Sequence, residues 1–163
     1  MAAIIRPFRY GDMVQVVLAQ TDYYDRAYGW RGNMEQLLLE VCGDFLKRHV
    51  PGRTQCWVAE IDGDFAGSIF CCDAGDNVAQ LRLLHIDDAA RGQGLGRRLV
   101  DTCVEFARAA GYAEIMLWTH AVLLTARRLY AAAGFVVTET RTHDEFGKPE
   151  PGEIWRLRLA PHP

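Results

Sequence analysis

Three glycines within five residues, Gly92-Gln93-Gly94-Leu95-Gly96, lie where a strand-like run gives way to a helix-like one, with Arg91 before them and Arg97 after. Without Cβ atoms in the way, backbone N–H groups can converge there. At the start of a helix, unpaired N–H groups and the macrodipole attract an anion. A phosphate or diphosphate is the best-matched guest. A Walker loop would need lysine and a hydroxyl residue after the last glycine, and Gly96 is followed by Arg97. A dinucleotide fingerprint would need G-x-G-x-x-G directly after the strand, but Asp87 to Arg91 intervene and position 97 is arginine. Glu114 stands about where a ribose-binding acid would be sought, yet it opens the next strand where that acid should close one.

The elements around this loop must hold it still. Val78 to Ile86 reads as a strand leading in. Leu95 to Ala110 reads as a helix leading out, with Leu95, Leu99, Cys103, Phe106 and Ala110 inward, Arg97, Asp101 and Arg108 outward, and Gly111 as the closing C′ residue. Upstream, the pattern predicts a strand over Ala3 to Phe8, a helix over Met13 to Tyr24, a break over Asp25 to Gly32, and a second helix from Met34 to Val50 capped by Asn33. Gln55 to Ile61 and Phe65 to Cys72 form a hairpin around Asp62-Gly63. Downstream come a strand over Ala113 to Trp118, a helix over Val122 to Ala133, and strands over Phe135 to Thr142 and Glu153 to Leu159. The predicted fold class is one α/β domain: a mixed, mostly antiparallel sheet of about seven strands, with helices on both faces.

Composition limits the function classes. The chain has 163 residues, 50% apolar and 24% charged, which suits a globular domain and excludes disorder as the main state. A net charge of -3 argues against nucleic acid as partner. No apolar run is long enough to cross a membrane, and the start is unlike a signal peptide. The five cysteines lack a CxxC and read as buried thiols in a reducing cytoplasm. The five histidines show no metal spacing, so no metal is expected. Arginine far outnumbers lysine, which occurs only at Lys47 and Lys148, and alanine is abundant; this suggests a bacterial genome.

RGQGLG, with Arg91, Gly94 and Gly96 as R-x-x-G-x-G, resembles the acyl-coenzyme A diphosphate loop of the GNAT superfamily of N-acetyltransferases. TARRLYAAAGF, Thr125 to Phe135, resembles the second signature of that superfamily, and the two occur in family order. Leu81 to Val100, LWTH and Tyr28 to Trp30 further resemble acetyltransferase domains fused behind MarR-type regulators, of which this chain would be a free-standing version.

The resemblance implies acetyl-CoA as co-substrate and a GNAT-like acyl-CoA N-acyltransferase fold. The pantetheine arm would bond to the backbone of Leu84, His85 and Ile86, with the Ile86 N–H facing the oxyanion. The diphosphate would rest on N–H groups of Arg91, Gly92, Gln93, Gly94, Leu95 and Gly96, with Arg97 touching a phosphate. Tyr130 would protonate the leaving thiolate. His85, His120 and Glu60 are the candidate bases, and strand alternation puts His85 on the face opposite Leu84 and Ile86. Tyr28, Trp30, Trp57 and Phe146 are candidate walls of an acceptor pocket, favouring an amphipathic or cationic amine. Leu123 departs from the family, which often has an asparagine there to bond the arm. The expected partner is a small-molecule or peptide amine, with no nucleic acid and no membrane; a homodimer fits family habit. A coenzyme sensor without turnover is the alternative, and a dinucleotide oxidoreductase a third reading.

Overall fold

A computed structural model describes residues 3–160. The elements run β1 (Ile4–Pro7), α1 (Asp12–Tyr28), α2 (Gly32–Arg48), β2 (Gln55–Ile61), β3 (Asp64–Asp73), β4 (Val78–Ile86), α3 (Leu95–Ala109), β5 (Glu114–His120), α4 (Leu124–Ala132), β6 (Val136–His143) and β7 (Glu150–Arg158). One seven-stranded sheet joins the strands in the order β1-β2-β3-β4-β5-β7-β6. Only β4 and β5 pair in parallel; the other neighbours are antiparallel, as short turns require.

Two cores lie on opposite faces of the sheet. Leu99, Cys103, Ile115 and Leu117 belong to the one under α3 and α4. Val16, Phe45, Cys56 and Phe70 form the other, under α1 and α2. Cys71 and Cys72 fall on opposite faces, as strand period demands. Asp62 and Gly63 both take positive φ, 54° and 83°, which the tight hairpin turn needs.

Three local expectations are corrected. The helix from Asp12 does not break at Asp25 but runs to Tyr28 and stops at Gly29, whose φ is 70°; no earlier residue there is a glycine or proline. Asn33 is not the cap of α2. Arg31 occupies that position without a side-chain bond, while the Asn33 amide donates to the Glu145 carbonyl oxygen. The last strand begins at Glu150 rather than Glu153, so the loop before it is shorter than predicted.

Strand β4 carries one irregularity. On β4, Arg82 pairs with Phe70 and His85 with Ser68, so Leu83 and Leu84 together oppose the single residue Ile69. Leu83 takes φ 51° to make this bulge. β4 has already left β5 before the bulge: their pairing covers only Val78 to Gln80 against Glu114 to Met116. The sheet therefore splits, and the second half of β4 presents a free edge.

Candidate active site

The split opens a cavity of about 510 Å³, lined by residues from both faces of the sheet. One side is lined by the glycine loop, the start of α3, and Leu123 to Tyr130. The other is lined by residues of α1, α2 and β4.

The loop has the geometry of an anion cup. Gly92 and Gly94 take φ of 79° and 74°, positions where a Cβ would be strained. The N–H of Arg91 reaches the Asp88 oxygen at 3.3 Å, and that of Arg98 reaches the Gly94 oxygen at 3.2 Å. Between them, the N–H groups of Gly92 through Arg97 meet no acceptor among the described residues. At Gly96 a Cβ would lie 2.7 Å from Leu129 Cδ1, so the glycine lets α3 close on α4. The Arg91 guanidinium sits 4.9 Å from the Tyr23 ring centroid and donates to the Ile86 oxygen at 3.3 Å. Arg97 lines the cavity while pairing loosely with Asp101 at 3.4 Å.

The free edge of β4 points its polar groups into the gap. Ile86 faces Gly67, and the N–H of Asp87 bonds the Ala66 oxygen at 2.9 Å. That is the non-hydrogen-bonded register, in which the N–H and C=O of Ile86 turn away from β3 toward the split. Gly67 permits this close approach, because a Cβ there would lie 2.5 Å from the His85 carbonyl oxygen.

His85 lies on the α1 face, its ring centroid 5.7 Å from that of Tyr23. Leu84 and Ile86 pack on the opposite core. Nε2 of His85 is 2.7 Å from Asp87 Oδ1. A carboxylate partner fixes Nε2 as the protonated nitrogen and leaves Nδ1 basic. Tyr130 is buried yet lines the cavity from α4, against Phe135 and Trp155. Burial, with Tyr24 nearby, raises its phenol above the usual tyrosine range.

Other candidates stand differently from expectation. His120 is buried, bonded through Nδ1 to Nε2 of His143 at 3.0 Å, and pushed down to about 4 by desolvation and then by His143. It is neutral near pH 7 and a poor base. Glu60 is outside the cavity, tied to Arg6 at 2.8 Å and Arg9 at 3.2 Å. Trp57 is no pocket wall: it packs against Phe106 within the α3 core. Tyr28 lines the cavity, whereas Trp30 and Phe146 stack behind it, with Trp30 4.6 Å from Tyr28 and 5.0 Å from Phe146. The cysteines are reduced, and burial lifts Cys42 to about 11 and Cys72 to about 12, so neither is a ready nucleophile. No cluster of metal-ligating side chains occurs among the described residues.

Sequence reasoning missed Gln20, Tyr24 and Arg82, all of which line the cavity. Their spacing carried a signal. Gln20 and Tyr24 sit four apart on the inward face of α1, and Arg82 and His85 share a face only because of the bulge at Leu83.

Comparison with known proteins agrees with this geometry. Residues 18–135 match the model of the Acetyltransferase (GNAT) family. Human N-acetyltransferase 8 is 32% identical over 115 residues, which is 67% of this chain and 51% of that protein. N-acetylaspartate synthetase of Xenopus tropicalis is 36% identical over 80 residues, 48% of this chain and 30% of that protein. The chain thus spans about half the length, or less, of these relatives. Among solved structures, yncA from Salmonella typhimurium, determined with its cofactor acetyl-CoA, superposes with a TM-score of 0.77 at 18% identity, covering 100% of this chain and 97% of that one. The ribosomal-protein-alanine N-acetyltransferase of Brucella melitensis gives 0.78 at 20% identity, covering 96% and 99%. A split mixed sheet, a glycine-rich row of free amides at its mouth and a family match across most of the chain converge: this protein belongs to the GNAT family of acetyltransferases.

Proposed function

We propose that the chain moves an acetyl group from acetyl-CoA to a primary amine, by direct attack while both are bound. One observation carries this reading: the acceptor-free N–H groups of Gly92 through Arg97 at the mouth of a cavity edged by unpaired strand. They would hold the diphosphate, with Arg91 and Arg97 adding charge. The backbone of Leu84, His85 and Ile86 would hold the pantetheine arm. The Ile86 N–H, directed into the split, would donate to the thioester oxygen as it becomes an oxyanion. The acetyl-CoA bound to yncA and the N-acetyl transfer in the relatives' names support the same assignment.

The chemistry assigns roles to two side chains. An alkylamine with a pKa of about 10.4 is neutral in about one molecule in two thousand at pH 7. The neutral amine is the species that attacks, its first proton having gone to solvent. His85, with Asp87 on its Nε2, takes at Nδ1 the second proton, which the nitrogen sheds once it is bonded to carbon. The amine nitrogen bonds to the acyl carbon, the C–S bond breaks, and Tyr130 delivers a proton to the sulfur. The proton on His85 returns to Tyr130 through solvent. His120, neutral and bonded to His143, shapes the pocket instead.

The closer resemblance to MarR-fused domains, a bacterial cytoplasmic setting, a single-domain chain and a homodimer belong to this proposal on sequence grounds alone. Thiol release over a panel of amines, with coenzyme binding measured beside it, tests the reading. Release with at least one amine supports it. Coenzyme binding with no release across the panel would make the chain a sensor and overturn it.

A further inference from the structure

The acceptor half of the cavity carries a charge that nothing in the fold uses. Arg82 lines it from β4, half-buried, and makes no hydrogen bond or ion pair among the described residues. It faces α2: its guanidinium eases ionisation of Cys42 on α2 and Cys72 on β3, against the larger effect of burial. On α1, Gln20 is 1% exposed, also lines the cavity, and its Nε2 has no partner among the described residues. A buried amide donor without an acceptor is costly unless a ligand supplies one. The lining contains Arg82, Arg91 and Arg97 but no aspartate or glutamate. Arg91 and Arg97 stand at the glycine loop, so Arg82 is the cation left for the acceptor.

We propose that the acceptor amine carries a carboxylate, held by the Arg82 guanidinium with the Gln20 side-chain amide as a second donor. The inference rests on the acetyl-transfer reading and names its substrate class. The spacing agrees. Arg82 and His85 oppose Phe70 and Ser68, one same-face step apart on β3, or about 7 Å. A compact amino acid can place its carboxylate at one and its amine at the other. The aromatic side chains around Tyr28 then take an apolar side chain. The amphipathic acceptor that such walls suggest fits, while a polycationic one meets only positive charge.

The test is thiol release from acetyl-CoA with amino acids, each beside its own carboxamide, together with polyamines and an aminoglycoside. Carboxylated acceptors should show kcat/KM about tenfold to a hundredfold above their carboxamides, mainly through KM, because a charge-assisted contact is lost in the amide. Arg82→Met should bring that ratio close to one without changing the Kd for acetyl-CoA, and Arg82→Lys should restore part of it. Release with carboxamides or polyamines as good as with carboxylates overturns the inference and leaves acetyl transfer standing. So does an Arg82→Met protein that binds coenzyme and keeps the full ratio. A panel silent throughout, with coenzyme bound, overturns the acetyl-transfer reading and this inference with it.

Discussion

At the scale of single residues, the proposed chemistry turns on where protons sit. Burial raises the Tyr130 phenol above its usual range, so it stays protonated, and the proposed proton transfer to the leaving thiolate runs uphill. Tyr130→Phe removes only a hydroxyl from the core, so thiol release should fall about a hundredfold, with the Kd for acetyl-CoA unchanged by calorimetry. The His120 ring behaves oppositely. It falls from 6.5 to about 4 in the fold, so the unfolded chain binds this proton first as pH drops. Its contribution to stability is complete above about pH 6.5 and is lost as pH falls toward 4. Urea midpoints should decline across that window, and His120→Gln should flatten the decline. Tyr130 and the glycines could be singled out by motif spacing, and His85 by its place on the strand before the loop; the fold brings all of them to one cavity. The sequence hid Arg82 and Gln20, because an unpaired charge or amide is defined by what does not surround it.

At the scale of elements, the loop and helix α3 form one device, and helix α4 is clamped beside it. Gly94 caps α3 at φ 74°; an L side chain there costs about 1–2 kcal/mol. Gly94→Ala should therefore weaken acetyl-CoA binding about tenfold in a titration, with a modest loss of thermal stability. Arg127 of α4 grips Glu153 of β7 through two bonds, 2.8 and 3.1 Å, and Trp155 Nε1 donates to the same carboxylate at 3.1 Å. Arg127→Met leaves that buried carboxylate with one weak donor, and urea unfolding should report a loss of about 2–3 kcal/mol. Adding Glu153→Gln should recover part of it. Helix stripes and turn glycines announced most of these elements. The extension of α1 to Tyr28 and the bulge at Leu83 were not announced. The first follows from the lack of a breaker before Gly29, the second from tertiary pairing with Ser68 and Phe70, which no local pattern encodes.

At the scale of the whole molecule, the fold is a sheet with one deliberate gap. The core under α3 and α4 packs on both β4 and β5, while pairing at Val78 to Gln80 pins the two strands at one end only. The gap that results brings the glycine loop, Ile86 and Tyr130 to the lining of one cavity. In a chain of net charge -3, a lining with three arginines and no acid concentrates positive potential where a diphosphate would enter. The central claim is that the main-chain N–H groups of Gly92 through Arg97 hold that diphosphate. Calorimetric titration with acetyl-CoA beside acetyl-pantetheine, which lacks the diphosphate, tests it most directly. The account predicts saturable binding of acetyl-CoA and at least about a hundredfold weaker binding of acetyl-pantetheine. Equal affinity for the two, or no heat with acetyl-CoA, would contradict it.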